Sequence, residues 1–197
     1  MKKLVIFMHV SLDGFVGGPN GEMDWIRVDD EMFDYAGRLT HDSDVALYGR
    51  VTYNMMDAYW PTAADQPNAS KHDIEHSNWY NSVHKVVVSN SMKGKKLENV
   101  TILNENIPNE ILRIKQQPGK NIAMFGSPTV GHFLMQHNLI DDYWLFINPI
   151  ILGTGIPMFT GIKEKIDLTL VESKTFSSGV VGLHYQKKSE GVLHLPS

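Results

Sequence analysis

Residues 121–159, NIAMFGSPTVGHFLMQHNLIDDYWLFINPIILGTGIPMF, constrain the fold more than any other part of the chain. A short apolar run at 122–125 breaks at Gly126-Ser127-Pro128-Thr129, and beyond the break Val130, Phe133, Leu134 and Leu139 recur at helical spacing. A second apolar run, 143–152, follows Asp141-Asp142 and closes on Gly153-Thr154-Gly155. The stretch therefore reads strand, tight turn, helix, strand. A crossover of this kind makes its two strands parallel if they share a sheet.

The break between the first strand and the helix has chemical capacity. Backbone N–H groups at a helix N-terminus lack internal partners and carry the positive end of the helix dipole, and Gly126 lets a ligand come close to the backbone. Phosphate suits such a corner. Ser127 and Thr129 add hydroxyls, and Pro128 fits a first helical turn. The competing reading is an ordinary helix capped by Ser127, with no ligand.

With 197 residues and no Pro, Ser or Gly-rich linker, the chain is expected to form one domain over 1–188, followed by a loose tail at 189–197. A formal net charge of -4 and the lack of a basic patch argue against a nucleic-acid surface. The absence of cysteine excludes disulfides, thiolate catalysis and cysteine-ligated zinc. No apolar run reaches the length of a membrane span, and the opening MKKLVIFMHV reads as a first strand, so a cytoplasmic protein is expected.

Residues 4–10 form a nearly unbroken apolar run, as in a strand buried on both faces, with His9 as its polar member. His9 is either a hydrogen-bonded core histidine or a ligand contact beside a cleft. Segment 11–22 carries four glycines and reads as a loop; 29–39 reads as an amphipathic helix with an acidic first turn. The strand at 44–48 ends in Gly49-Arg50-Val51-Thr52, a second possible anion cradle in which Arg50 can grip phosphate with two hydrogen bonds. Residues 59–78 are polar and read as a surface excursion, helical from 70 to 80, on which His72 and His76 are solvated rather than metal ligands. Strands are expected at 84–89, ending in Ser89-Asn90, and at 100–103, a helix at 108–116, and a terminal antiparallel hairpin from 169–176 and 180–186.

The alternation predicts an α/β fold: a mainly parallel central sheet flanked by helices, with a C-terminal antiparallel hairpin. Its ordered corners, Gly49-Arg50-x-Thr52, Ser89-Asn90 and Gly126-Ser127-x-Thr129, resemble the dihydrofolate reductase-like superfamily. The opening SLDGFV with DW, the central stretch and the closing FSSGVVGLHY resemble, more closely, the C-terminal reductase domain of riboflavin-biosynthesis deaminase-reductases. That resemblance implies an NADPH-dependent reductase, a small-molecule substrate, a homodimer and no metal. It further implies that Gly49, Arg50 and Thr52 hold cofactor phosphates, that Ser89 and Asn90 sit by the adenosine end, and that Gly126, Ser127, Thr129 and Val130 cradle the pyrophosphate. Val16 and Gly17 would cover the nicotinamide. Of the carboxylates, Asp34 on the first helix would help protonate the substrate, with Asp13 at the mouth as a second candidate.

The chain departs from the riboflavin-type pattern at Phe15, where a basic residue is common, and at Arg50, where Asn is common. The substrate expectation is therefore a pterin-like or pyrimidine-like heterocycle or a small carbonyl compound. Two alternatives stand beside it: 5-amino-6-(5-phosphoribosylamino)uracil reductase, and a nucleotide-binding protein of the same fold without turnover. A binding module without a cofactor is the remaining possibility.

Overall fold

Apolar runs with no polar alternation form strands only where both sheet faces are covered, and this chain supplies helices for both. The computed structural model describes residues 1–188. Strand β1 (Leu4–Ser11) lies inside an eight-stranded sheet, parallel to β6 (Asn121–Phe125) on one side and β7 (Asp142–Asn148) on the other. Beyond β6 follow β3 (Ser43–Gly49), β4 (His84–Val88) and β5 (Val100–Leu103), all in parallel register. Beyond β7 come β10 (Val181–Lys187) and β9 (Leu168–Thr175), both antiparallel to their neighbours. The dihydrofolate reductase-like α/β architecture is thus present in full, terminal hairpin included.

The unit read from 121–159 is β6, helix α5 (Pro128–Gln136) and β7, and its strands are parallel with β1 inserted between them. The second strand stops at Asn148 rather than running to 152. Pro149 has no N–H for the ladder, and Ile150 N–H turns back to Asn148 O at 2.8 Å. Side chains of β1 alternate between two layers. Leu4, Ile6 and Met8 pack with α5 and with helix α4 (Ile107–Gln116) through Ile111, Leu134 and Met135. Val5 and Phe7 belong to the opposite layer, with Met32, Tyr35 and Leu39 of helix α1 (Asp30–His41). Asp29 caps α1, its carboxylate accepting from Met32 N at 2.8 Å.

The polar segment 59–78 is largely exposed, but it is more helical than expected, and Ala63, His76 and Ser77 are buried. Helix α2 (Arg50–Ala63) runs through Trp60 and Pro61, and helix α3 (Lys71–Ser82) opens with a capping box made by Ser70 and Asp73. Packing overrides composition here. Tyr53 of α2 and Tyr80 of α3 are buried against Tyr48 and Val87 of the sheet, and Tyr80 O–H donates to Asp57 at 3.0 Å.

The two edges of the sheet differ. Near the strand N-termini, buried pairs close the molecule: Lys2 with Asp44, Lys115 with Asp141 at 2.6 Å, and His184 with Asp142 at 2.8 Å. At the strand C-termini the helix N-termini of α2 and α5 lie open, and there the glycine corners meet. The tail expected at 189–197 lies outside the described residues.

Candidate active site

Gly49 ends β3 and precedes α2, while Gly126 and Ser127 join β6 to α5, and β3 and β6 are neighbours. The corners touch directly: Gly49 N–H donates to Ser127 Oγ at 2.7 Å, across 78 residues of sequence. Ser127 therefore does not cap α5. Its backbone is left-handed, with φ 58°, and its buried hydroxyl serves the neighbouring corner instead. Gly126 also has positive φ, 56°, and a Cβ there would come within 3.3 Å of Thr52 Cγ2. A Cβ on Gly49 would lie 3.0 Å from Val130 Cγ2. Gly49, Thr52, Gly126, Ser127 and Val130 are thus one contact set, a cradle that side chains would fill.

Neither α2 nor α5 has a side-chain cap, so their first-turn N–H groups remain open to a ligand. Arg50, the first residue of α2, is exposed. The arginine ion pairs among the described residues are Arg38–Glu172 and Arg113–Glu110, which leaves Arg50 outside them. Thr129 is exposed on the first turn of α5. Ser89 and Asn90 follow Val88, the register partner of Gly49, on the same edge; Ser89 is half-buried and Asn90 exposed. Strand β2 (Phe15–Gly17), held by β8 (Ile156–Pro157), brings Val16 and Gly17 over the end of β1. The structure thus gathers the cofactor candidates along one carboxyl edge.

A cleft of about 920 Å³ opens beside them, between α1 and the α2–α3 pair. Thr52, Gly126 and Val16 form its inner end, Phe7, His9 and Phe125 its floor, and Phe33, Trp60, His72 and His76 its walls. His72 and His76 are not solvated surface groups. His72 stacks on Phe33 with centroids 3.9 Å apart and planes at 9°, and His76 lies 4.0 Å from Trp60. Burial pushes His76 down to about 3, with the charge of His72 adding to the effect, and burial likewise lowers His72. The buried Nε2 of His76 has no hydrogen-bond partner. Trp60 inside the polar segment and Trp79 just beyond it were the available signal for this wall.

The two carboxylates expected at the chemistry are engaged by other groups. Asp34 stands on the rim of the cleft with its side chain 63% exposed, paired to Lys71 at 2.7 Å. Asp13 is consumed by structure: it accepts from Ser11 Oγ at 2.7 Å, Gly153 N at 2.7 Å and Leu152 N at 3.1 Å. Partial burial pushes its carboxyl up, but those hydrogen bonds outweigh it and hold the group below the usual carboxylate range. Asp13 pins the β2 loop to the turn after β7 and is unsuited to donate a proton.

His9 occupies the floor in their place. Arg27 N–H donates to Asn148 Oδ1 at 2.8 Å, which fixes the amide so that its Nδ2 donates to Phe146 O at 3.0 Å and toward His9 Nδ1 at 3.4 Å. With Nδ1 accepting, the ring hydrogen sits on Nε2. Burial lowers the His9 pKa to about 4, so the ring is neutral near pH 7.

The family model of the RibD C-terminal domain matches residues 2–182. The chain belongs to the RibD C-terminal domain family. It is 33% identical over 189 residues to the uncharacterized protein YyaP of Bacillus subtilis (strain 168), covering 93% of this chain and 94% of that one. Among solved structures, a putative riboflavin biosynthesis protein from Shewanella sp. PV-4 superposes with a TM-score of 0.70 at 20% identity, over 95% of this chain and 99% of the other. Dihydrofolate reductase from Enterococcus faecalis, complexed with NADP(H), gives 0.63 at 14% identity, over 95% and 97%. This RibD C-terminal domain therefore has the fold shared by dihydrofolate reductase and its relatives. No helix of the described residues is long and apolar enough to cross a membrane.

Proposed function

We propose that this RibD C-terminal domain protein is an NADPH-dependent reductase of a planar nitrogen heterocycle or small carbonyl compound held in the cleft. The observation that carries the reading is the sharing of Thr52 and Gly126 between the anion cradle and the inner end of the cleft. The helix N-termini would hold the phosphates of a dinucleotide, and the residues shared with the cleft would let its far ring reach the cleft. The same fold carries NADP(H) in the Enterococcus enzyme, which supports the choice of cofactor.

In this reading Gly49, Gly126, Ser127, Thr129 and Val130 form the pyrophosphate cradle, and Ser89 and Asn90 flank the adenosine end. Arg50 selects the 2′-phosphate, and Val16 with Gly17 covers the nicotinamide. When bound, NADPH would supply a hydride to the carbon of a C=N or C=O group, the bond's electron pair going to the heteroatom, which would take a proton from solvent. His9 Nε2–H holds that heteroatom by a hydrogen bond that strengthens as negative charge develops. A homodimer is proposed from family resemblance, and light scattering gives its mass.

Two measurements test the reading. At a hundredfold excess over Kd, NADPH should stabilise the protein by about 2.7 kcal/mol in a melting experiment. Purified protein should also consume NADPH absorbance with one or more members of a pterin, pyrimidine and carbonyl panel, and His9→Phe should slow that turnover about a hundredfold while leaving NADPH affinity unchanged. A flat melting response removes the cofactor. Binding without consumption by any acceptor favours the alternative of a nucleotide-binding protein without turnover.

A further inference from the structure

The charge pattern of the cleft bears on its substrate, and the inference rests on the reductase reading. Three carboxylates, Asp34, Asp42 and Glu75, face two cations, Arg38 and Lys71, with His41 beside them, its Nδ1 2.9 Å from Asp42. Both cations are already engaged. Arg38 pairs with Glu172 at 2.9 Å, and its guanidinium lies 4.0 Å over the Tyr35 ring. Lys71 pairs with Asp34 at 2.7 Å and sits 3.9 Å from Glu75. Burial lowers the pKa of the wall and floor histidines, His9, His72 and His76, so they add no compensating positive charge near pH 7. A phosphate dianion entering here would meet carboxylates and would have to displace one of them from its cation. The unengaged cation of this edge, Arg50, stands at the anion cradle instead.

The walls favour a particular shape. The stacked Phe33–His72 pair and the tilted Trp60–His76 pair line the cleft with aromatic surface. Aromatic faces of this kind gain most from a flat partner, and Met32, Met55 and Met56 supply adaptable apolar surface around it. The geometry points to a neutral, flat, unphosphorylated ring compound as the hydride acceptor, and away from the phosphoribosyl pyrimidine of the riboflavin route. Its binding edge carries a hydrogen-bond acceptor to meet His9 Nε2–H.

The test is isothermal titration calorimetry on protein saturated with NADP⁺, so that Arg50 is occupied and no turnover intervenes. The probes are 6-hydroxymethylpterin and its phosphate monoester, which share a ring and differ in charge. The neutral pterin should bind at least about tenfold more tightly, and the double substitution Asp34→Asn, Glu75→Gln should shrink that gap by freeing Lys71. Equal or tighter binding of the monoester, or no binding of either compound, overturns the substrate inference and leaves the cofactor reading standing. Failure of NADP⁺ itself to bind overturns the cofactor reading and this inference together.

Discussion

The anion cradle and the cleft share Thr52 and Gly126 yet have opposite electrostatic designs. At the cradle, positive charge is left open: two uncapped helix N-termini and an exposed arginine await a partner. In the cleft, charge is cancelled within the protein. Lys71 and Arg38 are spent on carboxylates, and the histidines are buried neutral. Open charge favours an anion and cancelled charge disfavours one, so under the proposed function the two sites would take a phosphate-rich cofactor and an uncharged acceptor respectively.

The largest expected effect lies in the cleft and depends on pH. The His9 pKa in the folded protein, about 4, is below its ordinary value of 6.5, so the unfolded chain binds more protons between those values. Its stabilising contribution is present above pH 6.5 and is lost as pH falls toward 4, amounting to roughly 3 kcal/mol. His76, held lower still, extends the loss in the same direction. Chemical denaturation from pH 7 to pH 4 should show a falling free energy, flatter in His9→Phe; equal slopes would mean that the ring is not desolvated.

The next effect belongs to the cradle. Arg50→Ala should weaken NADPH by about ten- to a hundredfold while leaving NADH nearly untouched, as expected when a charge-assisted contact to the 2′-phosphate is lost. Equal weakening of both cofactors would retire the discrimination role. A smaller effect tests the seam between the corners. Ser127→Ala removes the acceptor for Gly49 N–H and should cost about 1–2 kcal/mol of stability, together with a several-fold loss of NADPH affinity. Loss of stability alone would make the serine structural.

The corners of the candidate site were legible because strand ends and helix starts leave local marks. Gly49-Arg50-x-Thr52 and Gly126-Ser127-x-Thr129 stand out wherever a glycine follows an apolar run and precedes helical spacing. The two acid candidates are engaged by other groups, for an equally physical reason. Asp13 and Asp34 have the right chemistry, but backbone N–H groups satisfy one and solvent with Lys71 satisfies the other. Segment 59–78 misled through composition. Its polar residues disguised the few aromatics, and only packing against Tyr48 and Phe125 shows that α2 and α3 build a wall.

By itself the sequence determined the alternation of strands and helices, the parallel sense of the central unit, the closing hairpin and the places where backbone must turn. These follow from side-chain periodicity and from glycine and proline dihedrals, which act over a few residues. Tertiary structure alone decided that Ser127 would serve Gly49 rather than its own helix, that His76 would be buried, and that the cleft's cations would be neutralised. Each depends on groups distant in the chain, and burial and pairing are properties of the assembled surfaces.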